Sequence, residues 1–301
     1  MNDIYRSRVE LLLRIVPIIT AEECFAIHGG TAINLFVKEL PRYSVDIDLT
    51  YIPVENGSTS LANISRHLQH IADGITKAVK GVRIDPRWDT SKLLCDYRGS
   101  KVKIEVNQIK RGIVCGPTVR KPLCQRAQDE FRLYCEADIV PMPQLYGGKV
   151  AAALSRQHPR DMFDVRYMEL GLDDIKEGLI FCLLSSDRPI YESFSPREID
   201  QRDAMKNQFA GMSDVEFSYE EYETTRSKLI REVNKVMTSS DRRFLVDFEK
   251  GEPNWKASEY ASFEKYPSVQ WKQINIGQLR QTNPSKLADE VERLMRVLAV
   301  D

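Results

Sequence analysis

An alternation of apolar and acidic side chains over residues 45 to 52, VDIDLTYI, constrains this chain more than any other feature. Successive side chains of a β-strand point to opposite faces, so Val45, Ile47 and Leu49 face one way while Asp46, Asp48 and Thr50 face the other. One face of such a strand belongs to a core. The other carries two carboxylates about 7 Å apart, close enough to share divalent cations. Acid pairs also occur on plain exposed strands, so the flanking sequence decides what this one is for.

Upstream, Gly29-Gly30 marks a tight bend and Thr31 to Glu39 reads as a helix leading to the acidic strand. A helix N-terminus presents unpaired amide N–H groups that suit a phosphate, and glycine lets the backbone approach it. Downstream, KVKIEVNQ over residues 101 to 108 alternates again. Val102, Ile104 and Val106 point to a core, and Lys103, Glu105 and Asn107 share the opposite face. If the two strands are neighbours, Glu105 becomes a third carboxylate beside Asp46 and Asp48. Three hard oxygen ligands are what Mg²⁺ accepts while it also holds substrate phosphates, and like charges that close call for a cation.

A second block, LYGGKVAAALSRQHPRDMFDV, spans residues 145 to 165. Taken as a helix, it places Lys149, Ala153 and Arg156 on one face. Pro159 suits the first position of a following helix, with Asp161 in its first turn and Asp164 one turn on. Lys149 can bind a triphosphate as a point charge, and Arg156 and Arg160 can clamp phosphate oxygens; equally, these bases can pair with Asp161 and Asp164 in an ordinary salt-bridged helix pair.

The remaining pattern predicts helices over 4–15, ended by Pro17, and over 20–27, opened by a Thr20/Glu23 capping box. Residues 55–60 read as a loop, with a helix over 61–79 and strands over 82–84 and 93–97. Beyond residue 141 helical periods dominate, at 144–157, 159–170, 172–185, 197–211, 217–237 and 285–299. The expected class is α+β: a mixed-sheet domain over 1–141 and a mainly helical domain over 142–301.

Charge is nearly balanced, 43 bases against 44 acids, so the total selects no polyanionic partner. Bases do outnumber acids between Lys101 and Arg132 (Lys110, Arg111, Arg120, Lys121 and Arg126 among them), either as a solvated face or as a surface for phosphates. No apolar run approaches the ~18 residues of a membrane span, and the N-terminus lacks the pattern of a secretory signal. Six cysteines without a CxxC pair read as reduced thiols without disulfide-linked partners, in a cytoplasmic setting. His28, His67, His70 and His158 show no metal-ligand spacing with one another or with cysteines, so no zinc site is expected, although His28 can touch a phosphate. Trp88, Trp255 and Trp271 read as core or domain-contact anchors.

In order, HGGTAINLF, RYSVDIDL, KIEVN and LYGGKVAAALSRQHPRDMFDV resemble the successive motifs of the AbiEii/AbiGii toxins, nucleotidyltransferase-like proteins of bacterial toxin–antitoxin and phage-defence systems related to the MenT toxins. The motifs cover roughly half of the chain. The resemblance implies a DNA polymerase β-type nucleotidyltransferase domain followed by a helical one. It assigns Asp46, Asp48 and Glu105 to Mg²⁺ or Mn²⁺ and the glycine motif to Gly29, Gly30 and Thr31. Lys149 and Asp161 are given catalytic roles, while Asn34, Arg42, Ser44, Arg156, Arg160 and Asp164 lie near the nucleotide. Two departures are a Gly-Thr where the wider superfamily has Gly-Ser and a glutamate as third acid. The implied reaction moves an NMP unit from an NTP to an acceptor hydroxyl, the tRNA 3′ end by kinship with MenT toxins, arresting growth in the absence of a cognate antitoxin. Other readings are nucleotidylation of a protein hydroxyl, a module that binds NTP (GTP by analogy) without transfer, and a purely structural interaction protein.

Overall fold

The structure is a computed structural model and describes residues 1–300. The chain forms two compact units, Met1–Pro141 with Phe209–Glu216, and Met142–Gln208 with the chain from Phe217 onward.

In the first unit, β1 (Phe25–His28), β2 (Asp46–Tyr51), β3 (Arg83–Arg87), β4 (Lys92–Tyr97), β5 (Ser100–Val106), β6 (Val119–Pro122) and β7 (Glu136–Ile139) make one seven-stranded sheet in the order β3-β4-β5-β2-β1-β7-β6. β2 runs parallel to β5, and β1 parallel to β7, while every other pairing is antiparallel. Ile47, Leu49 and Ile104 are fully buried on the inner side of the central strands, each worth about 1.5–3 kcal/mol of transfer from water. Helix α1 (Asp3–Ile19) lies against β5 and β7, and α2 (Gly57–Ala78) against β3, β4 and α1. Asn2 caps α1 by accepting from the Tyr5 N–H at 3.1 Å, and Asn56 caps α2 by accepting from Thr59 at 2.9 Å.

The segment Phe209–Glu216, expected within the helical domain, is tied to the sheet unit by backbone hydrogen bonds. Asn2 N–H donates to the Gly211 carbonyl at 2.9 Å and Tyr43 N–H to that of Met212 at 2.7 Å. Arg126 pairs with Asp214 at 2.7 Å.

The second unit is helical: α3 (Met142–Arg156), α4 (Pro159–Arg166), α5 (Leu172–Leu184), α6 (Tyr219–Val236), α7 (Ser239–Glu249), α8 (Pro267–Thr282) and α9 (Pro284–Leu298), with shorter turns between. Helices α3 and α5 meet backbone to backbone. A side-chain carbon built on Gly147 would sit 2.4 Å from the Gly178 carbonyl carbon, and one on Gly178 would sit 2.0 Å from the Pro143 oxygen. The glycine of the LYGGK block thus has a packing role, because nothing larger fits there.

Several local expectations change. Helix α1 continues through Pro17 to Ile19, since a proline in the last turn removes one hydrogen bond without ending the packing of the apolar stripe. Thr20 opens no helix; its hydroxyl donates to the Pro17 carbonyl at 3.2 Å, and the buried run FAIH becomes β1. The helix after the glycine turn is short, and Ala32–Val37 follows in π geometry. The predicted helix over 197–211 is replaced by Arg202–Ala204 and a π turn over Met205–Phe209. Trp255 is buried, whereas Trp88 and Trp271 are 39 % and 37 % exposed and anchor no core.

Candidate active site

Alternation along β2 places Asp46 and Asp48 together on the face opposite Ile47 and Leu49, both half-buried. The parallel register sets Asp48 beside Glu105 and Asp46 beside Lys103, so all four share that face. The antiparallel register of β4 adds Lys92, the cross-strand partner of Glu105. Lys103 Nζ lies 2.7 Å and Lys92 Nζ 3.2 Å from the Glu105 carboxylate. Partial burial works against ionisation of Glu105, but the two lysines outweigh it and hold its carboxyl below the usual range. Partial burial likewise opposes the charge on Lys103, yet Glu105, Asp46 and Asp48 together push its pKa up. Part of the neutralisation that the sequence assigned to a metal alone therefore comes from lysines. Lys92 was missed because only the strand register, absent from any local motif, brings it to Glu105.

The glycine turn reaches this face from β1, where His28 pairs with Asp48 across the antiparallel ladder. Gly29 has φ +70°, a backbone state that glycine adopts without steric cost, and a carbon added to it would lie 2.6 Å from Asp48 Oδ2. A carbon added to Gly30 would meet the Arg42 guanidinium at 2.7 Å and Ser44 Oγ at 2.9 Å. Thr31 is buried and its hydroxyl reaches the Asp46 carbonyl and Ser44 Oγ, the latter at 3.1 Å. Asn34 Nδ2 donates to the Gly30 carbonyl at 2.9 Å, and Arg42 donates to the Tyr43 carbonyl at 2.9 Å. His28 Nδ1 lies 3.0 Å from the Thr50 hydroxyl. Gly29, Gly30, Thr31, Asn34, Arg42 and Ser44 thus form one buttress against the aspartates. The donor set fits a divalent cation: two carboxylates at adjacent same-face positions offer hard oxygens, and the missing side chain at Gly29 lets the backbone of the turn close on Asp48.

In the helical unit, Lys149, Asp161 and Asp164 are all buried. Lys149 Nζ lies 3.0 Å from Asp161 Oδ1 and 2.9 Å from Asp164 Oδ2. Arg156, largely in solvent, closes on Asp161 at 2.8 Å. Burial alone would push the Asp161 carboxyl up, but Lys149 and Arg156 reverse that and lower it. His158 caps α4, accepting from the Arg160 N–H at 3.1 Å. Tyr146, one turn before Lys149 on α3, was not singled out by sequence; burial first and then the Asp164 charge push its phenol pKa upward.

The basic stretch over 101–132 is divided among partners. Arg120 is bound to Glu136 at 3.0 Å and Asp138 at 2.9 Å, Arg126 to Asp214, and Arg111 is buried, leaving Lys101 and Arg132 among the exposed bases. Acids distant in sequence therefore cancel much of the local excess.

The mixed seven-stranded sheet and the helical unit match the fold of a MenT nucleotidyltransferase toxin. The chain resembles MenT4, a nucleotidyltransferase toxin from Mycobacterium tuberculosis H37Rv, with a TM-score of 0.59 and 10% sequence identity over 91% of this chain and 95% of that one. The chain belongs to the AbiEii family, the nucleotidyl transferase toxins of type IV toxin–antitoxin systems, whose sequence model matches residues 10–284. No curated protein matches it by sequence. Membership makes the chain a nucleotidyltransferase and implies an NTP substrate, in most cases a divalent metal, and an antitoxin partner. Among the described residues, no helix is long and apolar enough to cross a membrane.

Proposed function

We propose that this toxin transfers an NMP unit from an NTP to an acceptor hydroxyl, with the tRNA 3′ end as acceptor, Mg²⁺ or Mn²⁺ as metal and the cytoplasm as its place of action. The observation that carries the reading is the packing of Gly29 against Asp48 on a strand that also presents Asp46. Asp46 and Asp48 would hold the metal, which supplies charge neutralisation at the phosphates and the leaving pyrophosphate. Glu105 sits beside Asp48 and can accept the hydroxyl proton once Lys92 or Lys103 yields its place. Gly29, Gly30 and Thr31 offer backbone to the β- and γ-phosphates, while Arg42 and Ser44 stiffen the turn from behind. Catalysis would then be mostly positioning and electrostatic stabilisation. In the helical unit Lys149 serves first as counter-ion to Asp161 and Asp164, and Arg156 is the base of that cluster with a guanidinium open to solvent.

The tRNA acceptor rests on the kinship with MenT toxins and on the exposed remainder of the basic stretch. The test is to incubate the protein with each labelled NTP, Mg²⁺ and total tRNA. Labelled tRNA carrying an added 3′ nucleotide is the expected product. Label on protein alone would move the acceptor to a protein hydroxyl, and no label on either with any nucleotide would reject transfer.

A further inference from the structure

The turn between α1 and β1 and the middle of α2 bring together a sulfur, imidazoles and a carboxylate. One ligand atom each from Glu22, Cys24 and His67 lie within 4.8 Å of one another, and all three residues are half-buried. His67 Nδ1 already contacts the Glu22 carboxylate. His70, one turn along α2, adds its Nδ1 at 3.4 Å from the other Glu22 oxygen. The rings of His67 and His70 stand 5.8 Å apart and nearly perpendicular, at 79°. Nothing in the linear spacing announces this group, because Glu22 and His67 are 45 residues apart, which is why a zinc site was not expected.

We propose that Glu22, Cys24, His67 and His70 form a binding site for a thiophilic divalent cation of the zinc class, separate from the aspartate site. A thiolate, imidazole nitrogens and one carboxylate match zinc, whereas Mg²⁺ and Ca²⁺ take oxygen ligands. Four such atoms around zinc lie roughly 3.3–3.8 Å apart at the usual 2.0–2.3 Å bond lengths. Glu22, Cys24 and His67 close by side-chain adjustment, and His70, which lies beside Glu22 but outside that trio, joins by rotating its exposed ring. Binding at Cys24 Sγ and His67 Nδ1 displaces the thiol proton to solvent, while the single proton of neutral His67 resides on Nε2. Arg66, whose guanidinium is 3.3 Å from His67 Nε2, then turns away; its side chain is exposed and free to do so.

Position assigns the cation a structural role. The Cys24 carbonyl accepts from the Ile52 N–H at 2.9 Å, at the end of β1 where Phe25 pairs with Tyr51. His28 and Asp48 pair at the other end, roughly 10 Å away at about 3.4 Å per residue. A cation at Cys24 would clamp the α1–β1 turn to α2 without touching the glycine turn.

The test titrates the metal-free, reduced full-length protein with Co²⁺ and follows thiolate-to-cobalt charge-transfer absorption. A band saturating at one equivalent, bleached by one equivalent of Zn²⁺, is expected. It should disappear in Cys24→Ser, weaken at least tenfold in affinity in His67→Gln, and persist in Asp48→Asn, since oxygen ligands give no such band. Circular dichroism checks that each variant folds; should Cys24→Ser fail to fold, His67→Gln and His70→Gln carry the decision. Absence of a thiolate band, or a band unchanged in Cys24→Ser or in both histidine variants, overturns the proposal.

Discussion

Gly29 and Asp48 touch so closely that the first atom of any side chain on the glycine would lie 2.6 Å from the carboxylate. Gly29→Ala therefore has two costs. The left-handed backbone at φ +70° disfavours alanine by about 1–2 kcal/mol, and the added methyl must displace Asp48. Pyrophosphate release should fall by about two orders of magnitude, equivalent to ~2.7 kcal/mol, with a smaller loss in urea denaturation. Wild-type turnover in the folded variant would contradict the assignment of this turn to the active site.

Asp48→Asn keeps the shape of the side chain and removes its charge. Because Asp48 is half-buried on the face away from Ile47 and Leu49, stability should change by no more than about 0.5–1 kcal/mol. NMP transfer and toxicity in cells should both be lost. Toxicity persisting in a soluble, folded Asp48→Asn protein would remove the metal-site assignment.

Lys149 is the shared counter-ion of two buried acids, so Lys149→Met removes the charge between Asp161 and Asp164 and leaves Arg156 alone to offset Asp161. Breaking a buried pair from one side costs about 3–5 kcal/mol. Chemical denaturation should show a loss in that range, partly recovered when Asp164→Asn is added. A negligible change would mean that the cluster is hydrated and loosely held.

Acid should weaken the same cluster. The folded Asp161 carboxyl is lowered below its ordinary value because Lys149 and Arg156 outweigh burial. A depressed folded value gives a contribution fully present above the unfolded pKa of about 3.9 and lost as pH falls through the folded one. Thermal unfolding between pH 6 and pH 2 should therefore be less steeply pH-dependent in Asp161→Asn than in the wild type, and identical slopes would refute the coupling.

Local pattern was enough to see β2 and β5, because alternation is a period-two signal and both strands carry it through Asp46, Asp48 and Glu105. The register that sets Glu105 beside Asp48, and Lys92 against Glu105, depends on tertiary packing and leaves no local trace. The short strand β1 was hidden because a run of three apolar residues, Phe25 to Ile27, fits a helix or a strand equally well. Helix α7 was overlooked since its first turn is polar, with Thr238 and Asp241 forming the capping box that starts it. Cys24 and His67 meet only because α2 folds back over the α1–β1 turn, so the sparse cysteine count pointed away from any metal there.

The contact between Gly147 and Gly178 leaves no gap for a side chain and no slack for one helix to slide past the other. Helices α3 and α5 are consequently locked backbone to backbone at that point. Lys149, half a turn beyond the contact point, has its anchorage set by that joint, so the charge that Asp161 and Asp164 share is held in place by the packing of two helices rather than one.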